Sequence, residues 1–396
     1  MRSPERVLNS LNEHSKDSSY KFERLYRILF NEELFYVAYQ KIASNGGSTT
    51  KGSDGRSIDE MSLARIETLI ASLKDESYQP HPSRRVHIPK KNGKTRPLGI
   101  PAFEDKLVQE VVRMILEAIY EGHFEDTSHG FRPNRSCHTA LRDIKVTFKG
   151  TRWFIEGDIK GFFDNIDHNI MIDILRERIS DERFLRLIRK FLNVGYMEKW
   201  TYNNTYSGTP QGGIISPILA NIYLDKFDKY IKEYAENFNK SKGRRLTCEY
   251  QRNRNQRNAL RWKLEDETDE NRKAELKSKI ARLRKQMLDI PATRDMDDTF
   301  KRLKYVRYAD DFLIGMIGSK EECKIVKADI TTFMREKLKL EMSQEKTLIT
   351  NAQEPAKFLG YEIMARRSMD HTRTRSGLQR RPWLGTIVLN VSYETV

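Results

Sequence analysis

An α+β fold with helices layered on one face of a sheet is what the sequence predicts, and three features carry that prediction. RWFIEGDI (152–159) is a strand-like run rich in aromatic and β-branched residues, and KYVRYAD with DFLIGMI (304–317) forms a matching pair. Between them, apolar residues fall at helical spacing over about 168–193 and 216–236. With 396 residues and 38% apolar content, the chain is long enough for two or three domains, each with its own core.

The remaining elements follow in chain order. YKFERLYRILFNEELFYVAYQKIASN (20–45) reads as a helix, with Leu25, Ile28, Leu29, Leu34 and Val37 near helical spacing. The loop GGSTTKGSDG (46–55) ends it, and a second helix is expected over 58–75. VHIP (86–89) reads as a short strand, and Asn92-Gly93 marks a hairpin tip. Residues 103–123 return to a helical pattern. PQGG (210–213) precedes Ser216 and Pro217, an N-cap and first-turn pair for the helix that follows. Residues 241–290 are the compositional outlier, with 15 Lys and Arg against 8 Asp and Glu and little apolar content. They predict a helical insertion, read either as a solvated projection or as an RNA-contacting one with Trp262 or Tyr250 stacking on bases.

Charge narrows the function. Lys and Arg total 71 against 56 Asp and Glu, a net +15, which favours a polyanionic partner and nucleic acid before membrane. No stretch approaches the ~18 apolar residues of a membrane span. The N-terminus, MRSPERVLNSLNEHSKDSS, has no apolar core and so argues against secretion. Cys137, Cys248 and Cys323 are too few and scattered for a disulfide framework or a zinc site, and predict a reducing, cytoplasmic setting. The histidines show no metal-binding spacing, so His129 and His168 read as structural.

The chemistry is expected on carboxylates. Asp310-Asp311 interrupts two apolar half-strands and would sit at a hairpin tip, whereas Asp297-Asp298 has no strand context and reads as loop. Asp158 ends the run Trp153–Gly157 and supplies a third carboxylate from a neighbouring strand. Magnesium takes hard oxygen ligands, and two metals roughly 3.5–4 Å apart drive in-line phosphoryl transfer. Phe131 with Arg132 and Arg135 offers either a template contact or a core Phe beside two surface arginines.

In their order these segments resemble the reverse transcriptases encoded by group II introns, also called maturases. HIPKKNGKTRPLGIPAFEDKLVQ (87–109), SHGFRPNRSCHTAL (128–141) and WFIEGDIKGFFDNIDH (153–168) are similar to the family's first three blocks. GTPQGGIISPILANIYLDKFD (208–228), YVRYADDFLIG (305–315), LEMSQEKTLI (340–349) and KFLGYEI (357–363) are similar to the next four. NEELFYVAYQKIASNGGSTTKGSDG (31–55) resembles the upstream block that separates the intron class from retroviral enzymes.

The resemblance implies a right-hand polymerase fold. Fingers would span 1–150, with the upstream block at 25–60, and a palm would span 151–365, with the basic insertion at 236–300. Only about thirty residues follow Ile363, so 366–396 is expected to be a tail or linker toward a thumb that this fragment lacks. It further implies two Mg2+ ions, with Mn2+ as a substitute, on Asp158, Asp310, Asp311 and the carbonyl of Ile159. Lys90, Arg96 and Gln211 would bind the incoming nucleotide, and Phe162 would exclude a ribose hydroxyl while Phe163 faces the core. Arg84, Arg132, Arg135, Gly212, Arg252, Arg254 and Arg257 would contact template or RNA. The implied partners are intron RNA, an RNA template with a DNA primer, and deoxynucleoside triphosphates; no membrane is expected, and a homodimer stays open. The implied function is RNA-directed DNA synthesis with assistance to intron splicing. Its rivals are a catalytically idle RNA-binding scaffold and a reverse transcriptase of retron or diversity-generating type.

Overall fold

The computed structural model describes residues 3–89, 93, 95–198, 201–205, 207–209, 212–294, 297–366, 372–373, 379–380 and 385–392. Helix α1 (Pro4–Ser15) comes first. The single helix expected over 20–45 is instead a 3₁₀ turn, Tyr26–Phe30, followed by α2 (Glu32–Ala43). Asn31 makes the break, because its side chain accepts the Glu33 N–H and caps α2. Helix α3 (Leu63–Lys74) starts later than expected, at the Ser62 cap, after a 3₁₀ turn at Ile58–Glu60. Strands β1 (Ser83–Pro89) and β2 (Thr95–Ile100) form the expected antiparallel hairpin, with Pro89 opposite Thr95. Helix α4 (Phe103–Tyr120) is buried along most of its length and forms the centre of the N-terminal half. Helix α5 (Cys137–Thr147) begins at a Ser136–Thr139 capping box.

Strand β3 (Trp153–Gly157) leads into the one-turn α6 (Phe162–Asn165). The helix expected over 168–193 divides into α7 (His168–Arg176) and α8 (Glu182–Asn193). The gap exists because Phe22 donates to the Arg178 carbonyl and accepts from Ser180 N–H, and because Asp181 caps α8. Strands β4 (Tyr196–Glu198) and β5 (Thr201–Asn203) extend the first hairpin into a sheet of order β2-β1-β4-β5. Helix α9 (Ser216–Phe238) has Ile215 at its N-cap instead of Ser216; the Gln109 side chain supplies the acceptor for the Ile214 and Ile215 N–H groups.

The basic insertion is a helical hairpin, α10 (Cys248–Asp266) and α11 (Glu270–Asp289), with Met287 its one buried side chain among the described residues. Backbone bridges Lys240–Lys301 and Leu246–Thr293 close its base. Asp297 and Asp298 lie in loop, as expected.

Strands β6 (Arg302–Tyr308) and β7 (Asp311–Ile317) follow, then α12 (Lys320–Leu338), β8 (Ile349–Asn351), β9 (Ala356–Phe358) and β10 (Tyr361–Arg366). The expected tail contributes a two-stranded ladder, β11 (Thr372–Arg373) with β12 (Gln379–Arg380), and β13 (Thr386–Val391). Strand β13 pairs with β10 along its whole length, so this segment is part of a β13-β10-β9 sheet.

The central sheet has the order β6-β7-β3-β8 and is antiparallel throughout. Both of its faces are covered, which departs from the expected single helical face. Alternation along the strands explains this. Ile155, Tyr305 and Ile314 point into a core shared with α4, α9 and α12, whereas Phe154, Val306 and Leu313 point into a second core. That second core is built with Leu141 and Ile144 of α5 and with Ile363 and Ile387 of the small sheet.

Candidate active site at the β6–β7 turn

Strand register gathers the carboxylates. Gly157 pairs with Phe312, so Asp158 leaves β3 beside Asp311, while Tyr308 pairs with Asp311 to close the turn at Ala309-Asp310. Ala309 has φ +56°, a left-handed conformation that costs a non-glycine residue about 1–2 kcal/mol. Arg307 holds it there. This fully buried side chain donates to the Ala309 carbonyl (2.8 Å), pairs with Asp228 (2.6 Å) and also reaches Asn221 and Ser128. Backbone bonds join His129 N–H to the Arg307 carbonyl and Arg307 N–H to the Thr127 carbonyl. Gly130 lies so close to the turn that a Cβ would come within 2.3 Å of the Ala309 nitrogen. The segment around 128–130 is therefore the clamp on this turn.

Burial, then repulsion from Asp310 and Asp158, pushes the Asp311 carboxyl up to about 7. Burial also raises Asp310, with repulsion from Asp158 adding to it and the fields of Arg96 and Lys346 opposing it. Lys346 donates to both Asp158 oxygens at 3.1 Å. Lys346 was not a candidate from sequence, although it falls in one of the quoted segments; its partner is 188 residues away. Asp158, Asp311 and Lys346 line a cleft of about 400 Å³ that runs under Phe358 and Tyr361.

Three clustered carboxylates with hard oxygens and mutual repulsion fit a divalent cation in donor type. Among the described residues, no three acidic, His or Cys groups close around one ion position, and Lys346 supplies the positive charge at Asp158. Near Ile159, the bridge to Met342 uses the Asp158 and Glu341 carbonyls and leaves the Ile159 carbonyl out of that pair.

Several expected site residues have other places. Both rings belong to the same buried core, Phe162 at 1% and Phe163 at 7% exposure, but Phe163 alone of the two lines a cleft of about 310 Å³ with Arg85, Pro97 and Gly99. This placement is the reverse of the expected one. Gly161, at φ +54°, starts α6 at Phe162, and the helical step to the next residue turns Phe163 toward the cleft. Phe163 also meets the exposed ring of Phe131 at 6.5 Å.

Arg132 is buried and bonds to Glu121 and to the Glu125 and Ser128 carbonyls, so it braces the 121–128 turn and is withdrawn from any template. Phe131 and Arg132 therefore reverse the expected pattern of a core Phe beside surface arginines. Arg135 is paired with Asp126, and Arg84 donates to the Lys51 carbonyl. Gly212, at φ +106°, approaches β2 so closely that a Cβ would sit 2.6 Å from the Gly99 oxygen. On α10, Arg252 is exposed, and Arg254 and Arg257 are half-buried. Lys90 and Gln211 lie outside the described residues. His129 bonds Thr139, and His168 bonds Asn193 and the Gly208 carbonyl.

The reverse transcriptase (RNA-dependent DNA polymerase) family model matches residues 88–249 and 280–363. The chain is 48% identical over 386 residues to the group II intron-encoded protein LtrA of Lactococcus lactis subsp. cremoris, covering 97% of this chain and 63% of LtrA. It is 40% identical over 400 residues to an uncharacterized 91 kDa protein in the cob intron of Schizosaccharomyces pombe, covering 98% of this chain and 48% of that protein. Protein YkfC of Escherichia coli is 33% identical over 361 residues, with 89% of this chain and 86% of YkfC covered. The chain thus belongs to the reverse transcriptase family, and its α+β core is the right-hand polymerase fold. Its relatives include a group II intron-encoded protein, LtrA. It spans 63% of the length of LtrA. Divalent metal and nucleic acid are general to such a family. No described helix is long and apolar enough to cross a membrane.

Proposed function

We propose that the chain performs RNA-templated DNA synthesis from deoxynucleoside triphosphates, and that it binds its parent intron RNA and assists its splicing. The observation that carries the first part is the strand register that sets Asp158 against Asp310 and Asp311 on a rigid sheet. On this reading residues 1–150 act as fingers and 151–365 as palm, with the β1–β2 hairpin over the nucleotide.

Asp158, Asp310 and Asp311, with the Ile159 carbonyl, would hold two magnesium ions. Such ions lower the pKa of a primer hydroxyl and stabilise charge on the transferred phosphate. Within the chain, Lys346 donates to both Asp158 oxygens and orients that carboxylate. Arg307 fixes the turn, so that Asp310 and Asp311 pay no reorganisation as charge develops. Phe163, on the cleft, takes the part of the sugar gate. Three free cysteines suit a reducing cytoplasm.

The test is primer extension on an RNA template, with and without magnesium, beside an intron-RNA binding assay. Asp310→Asn abolishes synthesis and leaves RNA affinity nearly unchanged, because that affinity comes from dispersed Lys and Arg. Extension at the wild-type rate by this variant overturns the assignment. The splicing part is tested separately, by whether the protein accelerates splicing of a precursor carrying its own intron.

A further inference from the structure

Phe131 is anomalous on two counts. Its ring is 51% exposed, and its φ of +57° lies in the left-handed region, which favours glycine and penalises a bulky side chain. The strain has a local cause. On one side, Gly130 is pressed against the carboxylate turn, and its carbonyl accepts from the buried Asn221 amide at 2.8 Å. On the other, the Arg132 side chain is buried on Glu121 and on the Glu125 and Ser128 carbonyls. With both neighbours pinned, the chain makes its turn at residue 131 and leaves the ring half in solvent. Glycine or asparagine suits such a backbone, and a half-exposed phenylalanine gains little from burial. The worth of the ring therefore lies in what it touches.

It touches two parts of the site. Phe131 meets Phe163 edge-on, with ring centroids 6.5 Å apart and planes at 76°, and meets Tyr308 at 6.4 Å. Phe163 in turn packs edge-on against the core ring of Phe162 at 5.2 Å. Each separation falls within the roughly 4.5–7 Å at which aromatic rings attract one another. The four rings form a run from the core, through the ring on the cleft, to the last residue of β6, which pairs with Asp311. The Phe163 main chain is fixed through its carbonyl, which accepts the Thr209 N–H at 2.7 Å. Its ring is another matter, since a rotamer is held by what packs against it.

Selection by a clash works only if the wall does not yield, because a ring that swings aside admits the hydroxyl it should exclude. We propose that Phe131 is a positioning residue for sugar selection: its ring braces the Phe163 ring on the cleft and couples it to Tyr308 at the carboxylate turn. This rests on the reading of Phe163 as the sugar gate. In this role Phe131 acts on the neighbouring ring and not on the nucleotide, so its whole effect passes through Phe163.

The experiment measures single-nucleotide extension of a primer on an RNA template by the full chain, with kcat and KM for a deoxyribonucleotide and for its ribonucleotide counterpart. Phe131→Asn is the main variant, because asparagine tolerates a positive φ; its melting temperature is expected to stay at or above that of wild type. Its preference for the deoxyribonucleotide is expected to fall about tenfold, mainly through a lower KM for the ribonucleotide. Phe131→Tyr keeps a ring and restores the preference. In the double variant Phe131→Asn/Phe163→Ala, discrimination equals that of Phe163→Ala alone, since a brace has no effect once the gate is gone. Unchanged discrimination in Phe163→Ala overturns the gate and the brace with it. A loss in Phe163→Ala with none in Phe131→Asn overturns the brace alone. Additive losses in the double variant also overturn it, by showing that Phe131 acts on the nucleotide directly. So do equal losses in Phe131→Tyr and Phe131→Asn with lowered melting temperatures, the mark of a merely structural residue.

Discussion

The β6–β7 turn and the α10–α11 hairpin are both built around arginine, and they use it in opposite ways. At the turn, Arg307 is fully buried and each of its nitrogens has a partner in Asp228, Asn221, Ser128 or the Ala309 carbonyl. On the hairpin, Arg252 faces water, Trp262 is 68% exposed, and α10 buries no residue. A buried arginine is a positioning device whose worth lies in its partners. A solvated one contributes little to the fold and keeps its charge for phosphate. The two regions should therefore respond in opposite ways to the loss of charge.

The sharpest way to break this contrast is at Asp228. Asp228→Ala leaves the Arg307 guanidinium buried without its counter-ion, and removing one partner of such a pair costs about 3–5 kcal/mol. Denaturant unfolding measures it. Arg252→Ala, on the exposed hairpin, should move the same midpoint by less than about 0.5 kcal/mol. Equal effects would erase the distinction. A stable Asp228→Ala protein with full synthesis would show that the turn needs no clamp.

The adjacent rings of α6 sharpen the comparison at single-residue scale. Phe162→Ala empties a core position and should cost about 3–5 kcal/mol. Phe163→Ala, on the cleft, should cost less stability and instead raise ribonucleotide incorporation, because the proposed discrimination is a clash with the 2′-hydroxyl. A ribo-versus-deoxy competition assay beside thermal melting decides between the rings. Unchanged sugar discrimination in Phe163→Ala would remove the gate from this position.

What was legible in the sequence divides along the same line. Strands β3, β6 and β7 announced themselves because aromatic and β-branched runs are a local signal, and the aspartates interrupting them drew attention to the turn. The break in 20–45 was only partly legible: the Asn31 cap is local, but the turn before it also depends on Tyr26 N–H meeting Asp181, 155 residues on. Lys346 and Arg307 were missed as site residues for the same reason: their partners are remote in sequence. The exchange of Phe162 and Phe163 turned on a rotation about one helical step, which residue spacing alone does not report. Helix α5 is the exception, for its Ser136-x-x-Thr139 cap was present in the sequence and went unread.

The smallest expected effect belongs to the hairpin itself. Its segment carries 15 Lys and Arg against 8 Asp and Glu, yet the acids gather between Glu265 and Glu270, near the turn linking the helices. Arg252, Arg254 and Arg257 lie on α10 away from that acidic end. If they meet phosphates of bound intron RNA, each contact releases condensed counter-ions. Changing all three to Ala should then flatten the plot of log affinity against log salt by about 0.7–0.9 per lost contact. Affinity near physiological salt should fall only modestly, because other cations of this +15 chain still hold the RNA. The unfolding midpoint should not move, which separates lost phosphate contacts from a damaged fold. A salt slope identical to wild type would assign these arginines to solvent and leave the hairpin without a part in RNA affinity.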